Sequence, residues 1–190
     1  MNNSILLLDN FDSFTYNLYH LLYSVSGVKP VVLRNDLPDP RVALQYSKIV
    51  LSPGPGLPRE SGNLMEVIHQ CWGKAKILGV CLGHQALALN TGGKLNQLDH
   101  VYHGVSRKGI ITSRSALFEG IENHFDAGSY HSWTVDKSSL NDQWKIIAED
   151  QAGEILAMEH HSLPITGIQF HPESVLTPLG AKMIENWLKH

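Results

Sequence analysis

The sequence lacks the features that mark several whole classes of protein. It has two cysteines in 190 residues, too few for a disulfide framework, and free thiols fit a reducing compartment such as the cytoplasm. Apolar runs are short. The stretch 5–8, "ILLL", falls far short of the ~20 residues that cross a bilayer, so no membrane partner is expected. The opening "MNNS" has no charged region followed by a long apolar one, so no signal peptide is expected either. Positive charge is not in excess: fifteen Lys and Arg stand against eighteen Asp and Glu, a formal charge of −3. Such a chain has no global field to attract nucleic acid. There is no repeat with a period of 20–50 residues and no low-complexity segment.

What is present describes an ordinary globular chain, 43% hydrophobic and 17% charged. Its length favours one domain, 1–190, with a sizeable core. In the first half, "SILLLD" (4–9), "PVVLR" (30–34), "SKIVLS" (47–52) and "KILGV" (76–80) are short continuous apolar runs. Such runs suit strands buried on both faces of a parallel sheet. Between them Phe14, Leu18, Leu21, Leu22 and Val25 form one helical stripe. Leu64, Val67, Ile68, Cys71 and Trp72 form another, which Gly73 should end. This alternation predicts an α/β fold: an open, mainly parallel sheet with helices on both faces. In the second half "GIIT", "WTVD", "WKIIAED", "EILAMEH" and "PITGIQF" read as strands in hairpins or a meander. The chain should close with a helix capped by Thr177 and opened by Pro178.

Three segments break these patterns. In "GVCLG", Gly79 to Gly83, a cysteine stands between two glycines where a strand should hand over to a helix. This is the nucleophile-elbow arrangement with Cys in place of Ser. The glycines give clearance to backbone that a Cβ would strike. A helix starting near Leu82 points free N–H groups and a positive dipole end at Cys81, which favours a thiolate, and the Leu82 N–H can face a developing oxyanion. Cys71, on an apolar stripe, reads instead as core. In "FHPESV" (170–175), a strand continuing to Glu173 would put His171 and Glu173 on one face. A carboxylate beside an imidazole fixes its tautomer and raises its basicity, as a general base needs. In "LSPGPGLPRESG" (51–62), two Pro-Gly pairs follow a buried strand. The rigid loop leaves N–H groups at Gly54 and Gly56 able to serve an oxyanion or a carboxylate. Together these supply the roles of acyl transfer through a thioester.

In this order, "SPGPG", "GVCLGHQ" and "FHPES" resemble the class I, triad-type glutamine amidotransferases over 4–188. The segment "LLLDNFDSFTYNL" (6–18) is similar to the glutaminase subunits of anthranilate synthase and aminodeoxychorismate synthase. The resemblance implies a flavodoxin-like sheet with added antiparallel strands. It implies Cys81 as nucleophile, His171 as base and Glu173 as its orienter, with an oxyanion hole at Gly54 and Leu82. L-glutamine would be held by Gly54, Pro55, Gly56, Gln85 and the backbone of Ser132 and Trp133. Ammonia would pass to a chorismate-binding synthase subunit, component I, in a hetero-oligomer, and no metal or organic cofactor is implied. The chain departs from the family where R-Y-H-S-L is replaced by "SYHSW" (129–133) and H-G-K by "HGV" (103–105). Ser129 and Trp133 therefore bear on the pocket rim or the subunit contact, and Val105 on a partner-facing or signalling role of the family's lysine.

Three other readings compete. A cysteine-nucleophile α/β-hydrolase would share G-x-C-x-G, but its acid falls between nucleophile and histidine in chain order, whereas Glu173 follows His171. A catalytically silent regulatory subunit would not need all three triad residues. A metal site built from His100, His103, His131, His160 and His161 lacks H-E-x-x-H and Cys-x-x-Cys spacing.

Overall fold

The structure is a computed structural model that describes residues 4–190. All of the opening "MNNS" except Ser4 lies outside the described residues. Five strands form the parallel half of one nine-stranded sheet: β1 (Ile5–Asp9), β2 (Val31–Arg34), β3 (Lys48–Leu51), β4 (Lys76–Val80) and β11 (Ile165–Ile168). The two short strands β5 (Leu95–Gln97) and β8 (Trp133–Val135) pair apart from it. The main sheet runs β2-β1-β3-β4-β11-β10-β9-β6-β7. From β11 outward, β10 (Ile155–His160), β9 (Trp144–Asp150), β6 (Val105–Ile111) and β7 (His124–Ser129) extend it antiparallel.

The apolar runs become strands because both sheet faces are covered. Ile5 and Leu7 point to one face, where they join Leu18 and Leu22 of α1 (Thr15–Ser26) and Met183, Ile184 and Trp187 of α4 (Gly180–Lys189). Leu6 and Leu8 point to the other, toward α2 (Leu64–Cys71) and α3 (Leu82–Asn90). This is the period-2 alternation of a strand with two buried sides. The expected end of the second stripe is found: α2 stops at Cys71 and Gly73 takes φ +69°. Cys71 is fully buried, and burial pushes its thiol up to about 11.

Some sequence expectations are corrected. β7, "HFDAGS", is a strand that the sequence pattern does not predict. The last helix begins at Gly180, with Thr177 outside it. The Thr177 hydroxyl is taken by tertiary contacts, donating to the His171 carbonyl (2.7 Å) and accepting from the Gly128 N–H (2.9 Å). β11 ends at Ile168, so His171 and Glu173 do not share a strand face. They lie in a turn in which the Ser174 N–H donates to the His171 carbonyl.

Candidate active site

The C-terminal ends of β1, β3, β4 and β11 converge, which is where ligands bind in open α/β sheets. Cys81 follows β4 directly and is the residue before α3. Its backbone has φ 51° and ψ −100°, a conformation costing an ordinary side chain about 1–3 kcal/mol. The local sequence makes this turn possible. A Cβ on Gly79 would lie 2.5 Å from the Gly83 carbonyl carbon, and one on Gly83 would lie 2.6 Å from the Leu51 carbonyl oxygen. The expectation of steric clearance is thus met by backbone on both sides. The Cys81 N–H bonds to Ile168 of β11 (2.8 Å), and the side chain is 6% exposed.

The Pro-Gly loop after β3 is strapped beside this turn. The Asn10 N–H donates to Ser52 Oγ (2.9 Å), Asn10 Nδ2 donates to the Ser52 carbonyl (2.8 Å), and Asn35 Nδ2 donates to Asn10 Oδ1 (2.9 Å). Gly54 packs so closely that a Cβ would meet the Asn10 carbonyl at 2.6 Å and the Leu82 side chain at 2.8 Å. That contact packs the Gly54 backbone against the Leu82 side chain. Leu82 is the first residue of α3, whose leading N–H groups have no acceptor within the helix.

His171 and Glu173 meet even without a strand between them: Nδ1 lies 2.7 Å from Glu173 Oε1, and both side chains are almost fully buried. This bond fixes Nδ1 as the donor side and leaves Nε2 for chemistry. Nε2 is buried on the side of Cys81. Phe14 and Tyr130 wall the ring, with centroids 6.2 and 4.8 Å away. Its backbone is tied to β7, with the N–H donating to the Gly128 carbonyl (3.0 Å). Burial opposes a charged His171 ring, but Cys81 and Glu173 beside it outweigh burial and hold it above the ordinary imidazole range. Asp12, raised chiefly by burial, is near enough to feel the charges of both His171 and Glu173.

Cys81, Leu82, Gln85, Gly54, Pro55, Gly56, Ser132 and Trp133 all line one cavity of about 200 Å³. Its scale is that of one amino acid rather than a drug-sized ligand. Its remaining walls are Val101, Tyr102, His103, Tyr130 and His131. Of these the sequence marks only two, His103 and His131, and those as possible metal ligands. Among the described residues no three His, Cys, Asp or Glu side chains gather to hold a metal ion. His160 packs instead on Trp72 and Trp144. Behind the cavity, Arg107 of β6 is held by Asp150 and Glu154, lies 4.1 Å over the Tyr102 ring, and places Nη1 3.5 Å from His131 Nε2. Residues 105, 107, 127 and 129 share one face of the β6–β7 pair. A guanidinium is therefore present in this layer although position 129 is a fully buried serine.

Two buried histidines give the fold an acid limit. His84 is completely buried and pushed down to about 3 by burial. His131 is pushed down to about 3 by burial first and then by the charges around it, that of Arg107 foremost. Both are bases with folded values below the ordinary 6.5, so the unfolded chain binds more protons below that pH and stability falls as pH falls. His171 has the opposite sign, but its contribution is complete below pH 6.5 and does not offset the loss. Between pH 6 and 5, above the range of ordinary carboxylates, unfolding free energy should drop by about 2 kcal/mol for the two together. Urea titrations at the two pH values measure this, and equal midpoints would contradict it.

Known proteins match this chain along almost its whole length. The family model described as "Glutamine amidotransferase class-I" matches residues 6–190. The aminodeoxychorismate/anthranilate synthase component 2 of Bacillus subtilis is 40% identical, covering 97% of this chain and 95% of that protein. The aminodeoxychorismate synthase component 2 of Escherichia coli is 41% identical, covering 97% and 98%. The pyocyanine-specific anthranilate synthase component 2 of Pseudomonas aeruginosa is 42% identical, covering 97% and 92%. A solved structure of a GMP synthase-like protein from Thermoplasma acidophilum superposes with a TM-score of 0.87 at 24% identity, over 98% of this chain and 92% of that one. That last likeness speaks for the fold alone.

Proposed function

The chain belongs to the class-I glutamine amidotransferase family, and from that premise we propose that residues 4–190 act as one domain that hydrolyses L-glutamine and delivers ammonia to a chorismate-aminating synthase subunit. The observation that carries the reading is that one cavity is lined by Cys81, by Gly54 and Leu82, and by Gln85, Ser132 and Trp133.

In this reading glutamine enters with its side-chain carboxamide toward Cys81. His171 Nε2 takes the thiol proton and the sulfur adds to the carboxamide carbon. The oxyanion that forms is met by the N–H groups of Gly54 and Leu82; one such donor is worth about 3 kcal/mol of transition-state stabilisation. His171 then protonates the departing nitrogen, ammonia leaves, and a γ-glutamyl thioester remains. Water, deprotonated by His171, attacks the thioester, expelling the Cys81 sulfur and releasing glutamate. Glu173 keeps the imidazole in the required tautomer throughout.

The partner reading rests on the names of the relatives and on the surface around the site. Each of the three relatives above is a component 2 of a synthase. Apolar side chains rim the same end of the sheet: Val175, two residues beyond Glu173, is 92% exposed, Val101 66% and Phe11 47%, with Phe14 against Tyr130 and His171. A monomer seldom leaves such a rim to solvent, and its place fits a partner that receives ammonia. Which position of chorismate is aminated is then set by that partner. Mixing the chain with a component I synthase should raise glutamine hydrolysis and yield aminated chorismate. Val175→Asp should weaken the association about tenfold or more. Glutamine hydrolysis that no such subunit can couple to chorismate would remove the pathway part of the proposal while leaving the amidotransferase.

A further inference from the structure

The sequence motifs give the nucleophile a base, an orienter and an oxyanion hole. They assign no group to the sulfur itself. The structure places one there. Gln169, the residue after β11, is fully buried, and its Nε2 lies 3.5 Å from Cys81 Sγ. Its Oε1 is 3.2 Å from Gln85 Nε2, and Gln85 Nε2 is 2.8 Å from the Trp133 carbonyl oxygen. We propose that Gln169 is a further catalytic residue, a fixed carboxamide donor to the Cys81 sulfur, and that Gln85 of α3 locks its orientation. The inference rests on the reading of Cys81 as the nucleophile.

The orientation follows from donor and acceptor types alone. A backbone carbonyl only accepts, so the Gln85 amide must turn its NH2 toward Trp133. The same NH2 group faces Gln169, so the Gln169 atom it meets must be the acceptor, Oε1. The Gln169 NH2 is then necessarily the group against sulfur, and neither amide can flip without setting donor against donor or acceptor against acceptor. The backbone is pinned as well, since the Gln169 N–H donates to the Leu156 carbonyl (2.8 Å). The two bonds made by Gln169 are buried, with Gln169 0% and Gln85 3% exposed.

An amide N–H can donate to sulfur but cannot accept a thiol proton. Its bond to sulfur is therefore strongest when the sulfur carries charge, and charge-assisted bonds are roughly twice as strong as neutral ones. The donor favours the state that attacks glutamine. It also favours the sulfur as a leaving group when water breaks the thioester. The other end of the relay is Trp133, whose strand lines the cavity, so occupancy of the cavity and the state of the sulfur share one hydrogen-bonded path.

The test is the pH dependence of Cys81 alkylation by iodoacetamide, followed by mass spectrometry of the labelled peptide. Cys71 does not compete, because it is fully buried and its thiol is pushed up to about 11. In Gln169→Met the donor is lost, and the alkylation midpoint should rise by about one pH unit. In Gln169→Glu the bond from Gln85 is retained but a carboxylate oxygen faces the sulfur, and the midpoint should rise further. Steady-state kinetics should show kcat for glutamine falling about tenfold or more with KM little changed. Gln169→Glu keeps the shape of the side chain and answers the question even if Gln169→Met folds poorly. Unchanged midpoints alongside lost activity would mean that Gln169 only supports the fold, and the proposal would be overturned. Midpoints that shift as expected in the two variants, together with a wild-type protein that hydrolyses no glutamine with any partner, would instead uphold the Gln169–sulfur contact and overturn the glutaminase reading.

Discussion

Replacing Cys81 with serine is expected to lower glutamine-dependent turnover by about 10⁴-fold or more, while amination from ammonium salts by the assembled complex is unchanged. The magnitude follows from how little else at the site can attack a carboxamide. The sulfur sits where the backbone is forced to φ 51° and ψ −100°, at the first turn of α3 and beside His171. Serine fits that backbone about as well as cysteine, so the elbow persists and the loss is chemical. A hydroxyl is far harder to ionise than a thiol, and it gives up the large, soft nucleophile for which His171 and Gln169 are placed. Parallel assays with glutamine and with ammonium chloride, on complex isolated intact by gel filtration, separate the two activities. Retained glutamine hydrolysis would mean that another group is the nucleophile. Loss of both activities in the intact complex would contradict the division of labour between the subunits.

The parts of this site that are legible in the sequence are those fixed by local geometry. Gly79, Cys81 and Gly83 announce a strained turn because no other residue types satisfy the contacts measured at Gly79 and Gly83. The Pro-Gly loop announces itself in the same way. His171 and Glu173 are paired by proximity in sequence, but the strand expected to join them is absent: a turn after Pro172 does so instead. What the sequence hides depends on distant parts of the chain. β7 reads "HFDAGS", with Phe125 its one large apolar residue, and much of its burial comes from Ala127, Gly128 and Ser129, too small to give a period-2 signal. Thr177 has the right chemistry for a helix cap, yet tertiary partners claim its hydroxyl. Gln169 stands 88 positions from the sulfur it touches and 84 from Gln85. Only the placement of β11 beside β4 brings them together, and no spacing rule encodes that. Arg107 is similar: its two carboxylates come from the β9–β10 hairpin, and nothing near it in sequence distinguishes it from an exposed lysine or arginine of a strand.

Gly79→Ala should disable the site with one added methyl that touches no reacting group. The new Cβ would lie 2.5 Å from the Gly83 carbonyl carbon, 2.6 Å from its oxygen and 2.7 Å from the His84 nitrogen. All three are backbone atoms of α3, so no side chain can turn aside to relieve the clash. Overpacking a core typically costs about 1–3 kcal/mol, and here the cost should reach the upper end or exceed it. The strain has one outlet, a shift of α3 away from β4, and that movement carries the Leu82 N–H away from the point where an oxyanion would form. A misplacement of about 1 Å at a catalytic group is worth about 100-fold in rate. Gly79→Ala should therefore lower kcat/KM for glutamine about 100-fold or more and depress the urea midpoint together. A matched Gly92→Ala variant, whose added Cβ meets nothing within 4 Å but whose φ is +89°, separates the two causes. It should lower stability through backbone strain alone and leave the kinetics of the folded protein intact. If Gly79→Ala unfolds no more readily than wild type and turns over glutamine normally, the close approach of β4 and α3 is not what holds Cys81 in position.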